Sequence, residues 1–324
     1  MKAIVYSKYG SPDVLVLKEV DKPIPKDDEV LVRVHAASIN AWDWGLLTGK
    51  PFMARVSGGG LRKPKAKILG CDIAGRVEAV GANVSLLHVG DEVFGDLSGS
   101  GFGAFAEYVC AREDVLALKP TNITFEQAAS VPQAAVIALQ SVRDKGHVQP
   151  GQKVLVNGAG GGAGSYAVQI AKSFGAEVTG VDNASKLDGM GAVGADHVID
   201  YTHEDFTKNG ERYDLIVDLE AHHSIFDYRR ALSPNGIYVA AGGSMRRIFQ
   251  GLVVGSMLSA IGSKKFGILA LKPNKDLAFL TELIDAGKLV PTIDSRYPLS
   301  EAADALRHFG EGRFVGKIVI TVVE

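Results

Sequence analysis

The stretch KVLVNGAGGGAGSYAVQIA, residues 153–171, constrains the fold more than any other part of this 324-residue chain. An apolar strand runs to Asn157, glycines crowd 158–164, and a helical pattern starts at once. Glycine lets the turn adopt positive φ and lets backbone amides touch a pyrophosphate, which then sits at the positive end of the helix. A lone GxGxxG spacing is weak evidence. The preceding strand, the following helix and an acid closing the next strand, Asp182 in EVTGVD, turn it into a dinucleotide fingerprint. Gly158, Gly160, Gly161, Gly162, Ala163 and Gly164 are therefore the expected cofactor-binding residues. A Walker A cradle needs Gly-Lys-Ser/Thr where this chain has Gly164, Ser165 and Tyr166, which excludes that alternative.

The same rhythm of strand, glycine turn and helix continues through EVTGVD, a short helix near 186–193, HVIDY, YDLIVDLE, IFDYRRALSPNG and IYVAAGG. Its first, fourth and fifth strands are continuous apolar runs, as strands buried on both faces of a parallel sheet are. The expected fold class is α/β, with a Rossmann doubly wound parallel sheet. Residues 1 to about 120 read differently, as short strands and turns of a mainly antiparallel β domain: KAIVY, VLVLKEV, EVLVRVHAASI, AGRVEAVG, DEVFG and AFAEYVCA. A helical pattern spans TFEQAASVPQAAVIALQSVRDKG, with Thr124 and Gln127 at capping-box spacing. The tail, with a closing strand in GKIVITVV, is expected to rejoin the first domain. The expected boundaries are 1–122, 123–271 and 272–324.

Asp182 can hold both ribose hydroxyls of NAD and repel the 2′-phosphate of NADP. Asn183, Ser185 and Lys186, with Tyr201 at the end of the third strand, can instead accept that phosphate. The choice between NAD(H) and NADP(H) stays open.

A net charge of −2 without a run of like charge supplies no footprint for nucleic acid and leaves small molecules as partners. Two cysteines, Cys71 and Cys110, are too few for a disulfide scaffold and suit a reducing compartment. With neither a signal core nor a transit segment at the N-terminus, a cytoplasmic location is expected. The apolar stretch IFQGLVVGSMLSAIG, 248–262, is short of the roughly 20 residues that span a bilayer and reads as a buried or interface segment.

With a β domain, a central Rossmann unit and a C-terminal return, the chain resembles the medium-chain dehydrogenase/reductase superfamily, whose catalytic domain is GroES-like. The zinc-free quinone oxidoreductases and the reticulon-interacting reductases look most similar. The resemblance rests on SINAWDW at 38–44, GKPFMARVSGGGLRKPKAKILGCDIAGRVEAVG at 49–81, VLVNGAGGGAG at 154–164, GADHVIDYTHEDF at 194–206, and RYPLSEAADAL with GRFVGKIVIT near the end. The zinc alcohol dehydrogenases of the superfamily place Cys, His-Glu and Cys where this chain has Asn40, Cys71-Asp72 and a position near Gln133. A catalytic zinc needs three protein ligands, so no metal site is expected, and Cys71 reads as a small buried residue with Asp72 as a hydrogen-bonding one. His222-His223 reads as a pair of ordinary loop histidines.

The resemblance implies hydride delivery from NAD(P)H to an electrophilic small molecule, a quinone or an α,β-unsaturated carbonyl, without zinc. An alcohol dehydrogenase and a nucleotide-binding sensor or scaffold are the competing readings. Asn40 is the candidate catalytic residue, donating a hydrogen bond to the acceptor oxygen, or else it caps a turn. Trp42 and Trp44 wall a flat pocket or pack in the core, and Asp43 fixes the loop. Gly242, Ser244 and Lys317 are expected to approach the cofactor. A homodimer is expected from the resemblance alone. The basic loop LRKPKAK, 61–67, is a solvated face or, with 248–271, a rim of a large apolar acceptor pocket.

Overall fold

The structure is a computed structural model that describes residues 1–322. In chain order its strands are β1 (Lys2–Val5), β2 (Val16–Glu19), β3 (Glu29–Ser38), β4 (Asp72–Val80), β5 (Glu92–Asp96), β6 (Tyr108–Arg112) and β7 (Ala117–Leu118). There follow β8 (Lys153–Asn157), β9 (Glu177–Asp182), β10 (His197–Asp200), β11 (Tyr213–Asp218), β12 (Leu232–Ala240) and β13 (Lys265–Ile268). Last come β14 (Ile293–Pro298) and β15 (Lys317–Thr321).

The chain divides into two compact units. The first holds Met1–Gln133, Pro273–Asp285 and the residues from Pro291 onward; the second holds Ala134–Lys272 and Ala286–Val290. In the first unit the main sheet runs β14-β15-β3-β4-β5-β7, with β6 also paired to β3, and β1 and β2 form a separate hairpin. β15 pairs antiparallel with β3, so the C-terminal return completes the N-terminal sheet. Val30, Val32, Val34, Ile73, Val93 and Ile320 are among the residues that fill its core.

The second unit is the parallel sheet that the apolar runs indicate, in the order β10-β9-β8-β11-β12-β13, every neighbouring pair parallel. Val154, Leu155 and Val156 of β8 and Leu215, Ile216 and Val217 of β11 are all fully buried, because helices cover both faces of central strands.

The helical pattern at 124–146 is present, with the Thr124–Gln127 capping box, but as more than one helix: Phe125–Ala129 stops and a second helix starts at Pro132, whose nitrogen has no hydrogen to give the preceding turn. Of the two readings of the stretch 248–262, buried or interface, the buried one does not hold. Met245–Gln250, Gly251–Gly255 and Ser256–Ile261 follow one another as a helical segment, and Phe249, Leu252, Val253, Met257 and Ile261 are exposed. The reason is size. Gly251 and Gly255, one helical turn apart, are the buried positions, and a Cβ on Gly255 would lie 3.0 Å from Phe266 Cβ. The small residues let the helix approach β13, and the large ones are left outside. Among the described residues no helix is long and apolar enough to cross a membrane.

Candidate active site

In the second unit β8 ends at Asn157, and the chain turns through Gly158 at φ +85° into the helix Gly162–Ser173. A Cβ on Gly164 would lie 2.0 Å from the Gly158 carbonyl oxygen and 2.6 Å from Ala159 Cα, so only glycine lets helix and turn meet. Gly161 is different: its nearest neighbour would be the Gly158 oxygen at 3.5 Å, an ordinary contact. No side chain caps the helix at Gly161 and no acid sits in its first turn. A bare, positive helix end bordered by glycine is what a diphosphate requires, so these residues fit a dinucleotide.

Asp182 closes β9 beside this turn. Its Oδ2 accepts from the Gly160 amide at 3.1 Å and its Oδ1 from the Asn183 amide at 2.9 Å. Lys186 Nζ lies 3.5 Å from Oδ1, and both side chains are buried. The aliphatic stem of Lys186 crosses Gly160, where an added Cβ would come within 2.6 Å of it. Tyr201 is exposed and donates its amide to the Asp182 carbonyl. Gly242 packs against the Leu219 carbonyl so tightly that a Cβ would lie 2.2 Å from it, and Ser244 caps the helix that begins at Met245. His222 is exposed near Glu220, while His223 packs on Phe206 and Tyr228.

The first unit holds a buried polar cluster. Asn40 takes the N-cap position of the helix Ala41–Thr48, where it forms a capping box with Asp43. Its Nδ2 donates to Asp72 Oδ2 at 2.9 Å, and its Oδ1 accepts from Lys317 Nζ at 2.5 Å. Lys317, expected near the cofactor, is thus 3% exposed with its ammonium also 3.5 Å from Asp72 Oδ2. Asp72 accepts further from Ser38 Oγ at 3.1 Å and from the Gln133 amide at 3.1 Å. Burial raises the Asp72 pKa to about 7 against the pull of Lys317. Asp43 takes the Asn40 amide at 2.9 Å and the Gly70 amide at 3.1 Å, which pins the loop; burial raises its pKa to about 6. Cys71 is fully buried with Sγ 3.4 Å from Asp43 Oδ1, and burial pushes its thiol pKa well up. Trp42 and Trp44 pack on the core of this unit, Trp44 with its ring 6.3 Å from that of Phe309. The loop 61–67 lies against the β1–β2 hairpin, and the two line a cavity of about 760 Å³ within this unit. Sequence reasoning missed Ser38 and Asp96, whose carboxylate accepts from Gln133 Nε2 at 3.3 Å. Ser38 lies inside SINAWDW, where nothing sets it apart from its neighbours, and Asp96 carries no motif that would have marked it.

Residues 26–121 match the family described as alcohol dehydrogenase GroES-like domain, and residues 193–320 the family described as zinc-binding dehydrogenase. The 2-methylene-furan-3-one reductase of Solanum lycopersicum is 35% identical over 331 residues, which cover 99% of this chain and 79% of that protein. The chloroplastic NADPH-dependent alkenal/one oxidoreductase of Arabidopsis thaliana is 33% identical over 335 residues, with the same two coverages of 99% and 79%. The solved quinone oxidoreductase of Coxiella burnetii has a TM-score of 0.87 at 30% identity and covers 100% of this chain and 99% of that one. A parallel nucleotide-binding sheet joined in one chain to a GroES-like unit defines a nicotinamide-dependent oxidoreductase. This chain belongs to the medium-chain dehydrogenase/reductase superfamily, in its quinone oxidoreductase branch.

The zinc named in one family description does not fit this chain. The fold gathers the positions that carry ligands in zinc alcohol dehydrogenases, but they present an amide, a carboxylate already holding four donors, a thiol turned to Asp43 and the Gln133 amide. A lysine ammonium stands among them, and a second cation would be repelled. Among the described residues no group of three or more His, Cys, Asp or Glu is placed to hold a metal ion.

Proposed function

We propose that this protein reduces quinones or α,β-unsaturated carbonyls with a reduced nicotinamide coenzyme, NADPH in preference to NADH, and without zinc. The observation that carries the reading is Asn40. Its amide is held from both ends and, among the described residues, has a partner for only one of its two Nδ2 hydrogens, in a cluster where zinc relatives place a metal. A bound reduced nicotinamide supplies the hydride. As the acceptor is reduced its oxygen gains negative charge, which the Asn40 N–H stabilises, and water supplies the proton that completes the product.

In the same reading residues 123–271 are the dinucleotide-binding domain, and 1–122 with 272–324 the catalytic domain. The glycines from Gly158 to Gly164 hold the diphosphate, Asp182, Lys186 and Tyr201 the adenosine ribose end, and Gly242 and Ser244 the nicotinamide side. Lys186 supports the NADPH preference, because its ammonium offsets the Asp182 charge that would repel a 2′-phosphate. The names of the tomato and Arabidopsis relatives support the enone acceptor. The exposed apolar helix beside edge strand β13 supports a homodimer, and two free cysteines support a reducing, cytoplasmic compartment.

The test is NADPH oxidation against a panel of quinones and enones, with and without chelator, for the parent and for Asn40→Ala. The parent should turn over with chelator present. The substitution should lower kcat/KM for enones by about 10²-fold, the scale of a lost oxyanion donor. Nucleotide binding with no acceptor reduced would replace this reading with the sensor or scaffold.

A further inference from the structure

We propose that Lys317, clamped by Asp72, is a fixed cation that orients and polarises the Asn40 amide, a positioning residue in the role that a metal's charge fills in the zinc relatives. This rests on the reading of Asn40 given above.

The sheet puts the three groups together. β3 ends at Ser38, two residues before Asn40; Ser38 is paired on one side with Asp72, the first residue of β4, and on the other with Val319 of β15, two residues beyond Lys317. Carboxylate and ammonium therefore flank Asn40 on adjacent strands of one sheet.

Their chemistry fixes the amide. Lysine can only donate, so Oδ1 must face Nζ, which leaves Nδ2 to face Asp72 Oδ2; the flipped amide would oppose donor to donor at the lysine. One Nδ2 hydrogen is left with a single orientation. The ammonium on Oδ1 also draws electron density from the amide nitrogen, which makes that remaining hydrogen a stronger donor in a buried, low-dielectric setting. Burial lowers the hold of Lys317 on its proton, and the neighbouring Asp72 and Asp43 oppose that shift. The effect should weigh most on acceptors that are weak electrophiles.

Removing Lys317 alone leaves Asp72 buried without its counter-charge, so the working variant is the neutral pair Lys317→Met with Asp72→Asn. With melting temperature and NADPH affinity kept, the pair should lower kcat for an enone by roughly tenfold or more and for a benzoquinone by clearly less. In an Asn40→Ala background the same pair should cost nothing further, since the cation acts through the amide. Lys317→Arg, which keeps the charge, should retain most of the enone rate. An equal further loss in the Asn40→Ala background, no loss in the Asn40 background, an equal fall for enone and quinone, or a Lys317→Arg enzyme as slow as the neutral pair would each overturn the proposal. If Asn40→Ala by itself leaves enone turnover intact, the fault lies with the reading of Asn40 instead.

Discussion

The glycine turn of the second unit and the polar cluster of the first, which we propose serve the coenzyme and the acceptor, are built by opposite means. The turn leaves atoms out: it offers backbone amides and a helix end, and Gly164 matters because any side chain there would meet the Gly158 carbonyl. The cluster works by putting charge in. Asp43, Asp72 and Lys317 are buried, and among the described residues no buried side-chain nitrogen or oxygen lacks a partner. The first kind of site fails when an atom is added, the second when a partner is removed.

The largest effects should come from adding one methyl group to the turn. Gly164→Ala forces helix and strand apart and should cost at least the roughly 1–3 kcal/mol of an overpacked core, with nucleotide binding lost altogether. Gly161→Ala sharpens the contrast, because the structure has room for its methyl where a phosphate would sit. It should leave the melting temperature nearly unchanged and weaken NADH and NADPH alike by about tenfold or more. Calorimetric titration beside a thermal melt checks both. A Gly161→Ala protein that binds normally would show that the diphosphate lies elsewhere.

The same contrast explains what the sequence revealed. A site made of backbone leaves its mark locally, since glycine spacing is the turn, and strands buried on both faces must be written as unbroken apolar runs such as VLV in β8. The side-chain cluster is not local. Lys317 bonds to Asn40 across 277 residues of chain, and only the pairing of β15 with β3 brings them together. From sequence, the resemblance places Lys317 near the cofactor but gives no sign of its bond to Asn40, and Asp96 has no pattern to betray it. The expectation that 248–262 is buried failed for another reason. Apolar content normally signals burial, but here Gly251 and Gly255 take the inner face and leave the large side chains outside.

The buried charges should also be visible in the stability of the fold. Burial raises the Asp43 carboxyl in the folded chain to about 6 from an ordinary 3.8. Between about pH 4 and 6 the folded state therefore keeps a proton that the unfolded chain has released, and stability falls as pH rises through that window, by up to roughly 3 kcal/mol for this group. Asp43→Asn abolishes the titration. It should lower stability at pH 4, because one of the two amides at that site loses its acceptor, yet the gap to the parent should narrow toward pH 6.5. Urea unfolding of both proteins across this range tests it. A gap that widens with pH would mean that the Asn40 and Gly70 amides outweigh burial and that Asp43 is ionised throughout.

The smallest effect concerns the one place where the turn borrows a charge, as the cluster does throughout. Asp182 and Lys186 are buried 3.5 Å apart beside Gly160. If the ammonium offsets the carboxylate and receives the 2′-phosphate, Lys186→Met should weaken NADPH by about tenfold and NADH by much less, a difference near 1.4 kcal/mol. Asp182→Ser should act the other way, improving NADPH by roughly 1–3 kcal/mol if repulsion persists and by less where Lys186 already cancels it. Paired titrations of NADH and NADPH on both variants separate the cases. Equal losses of the two coenzymes on Lys186→Met would make the lysine a brace for Asp182 and the glycine turn, and the NADPH preference would then need another cation.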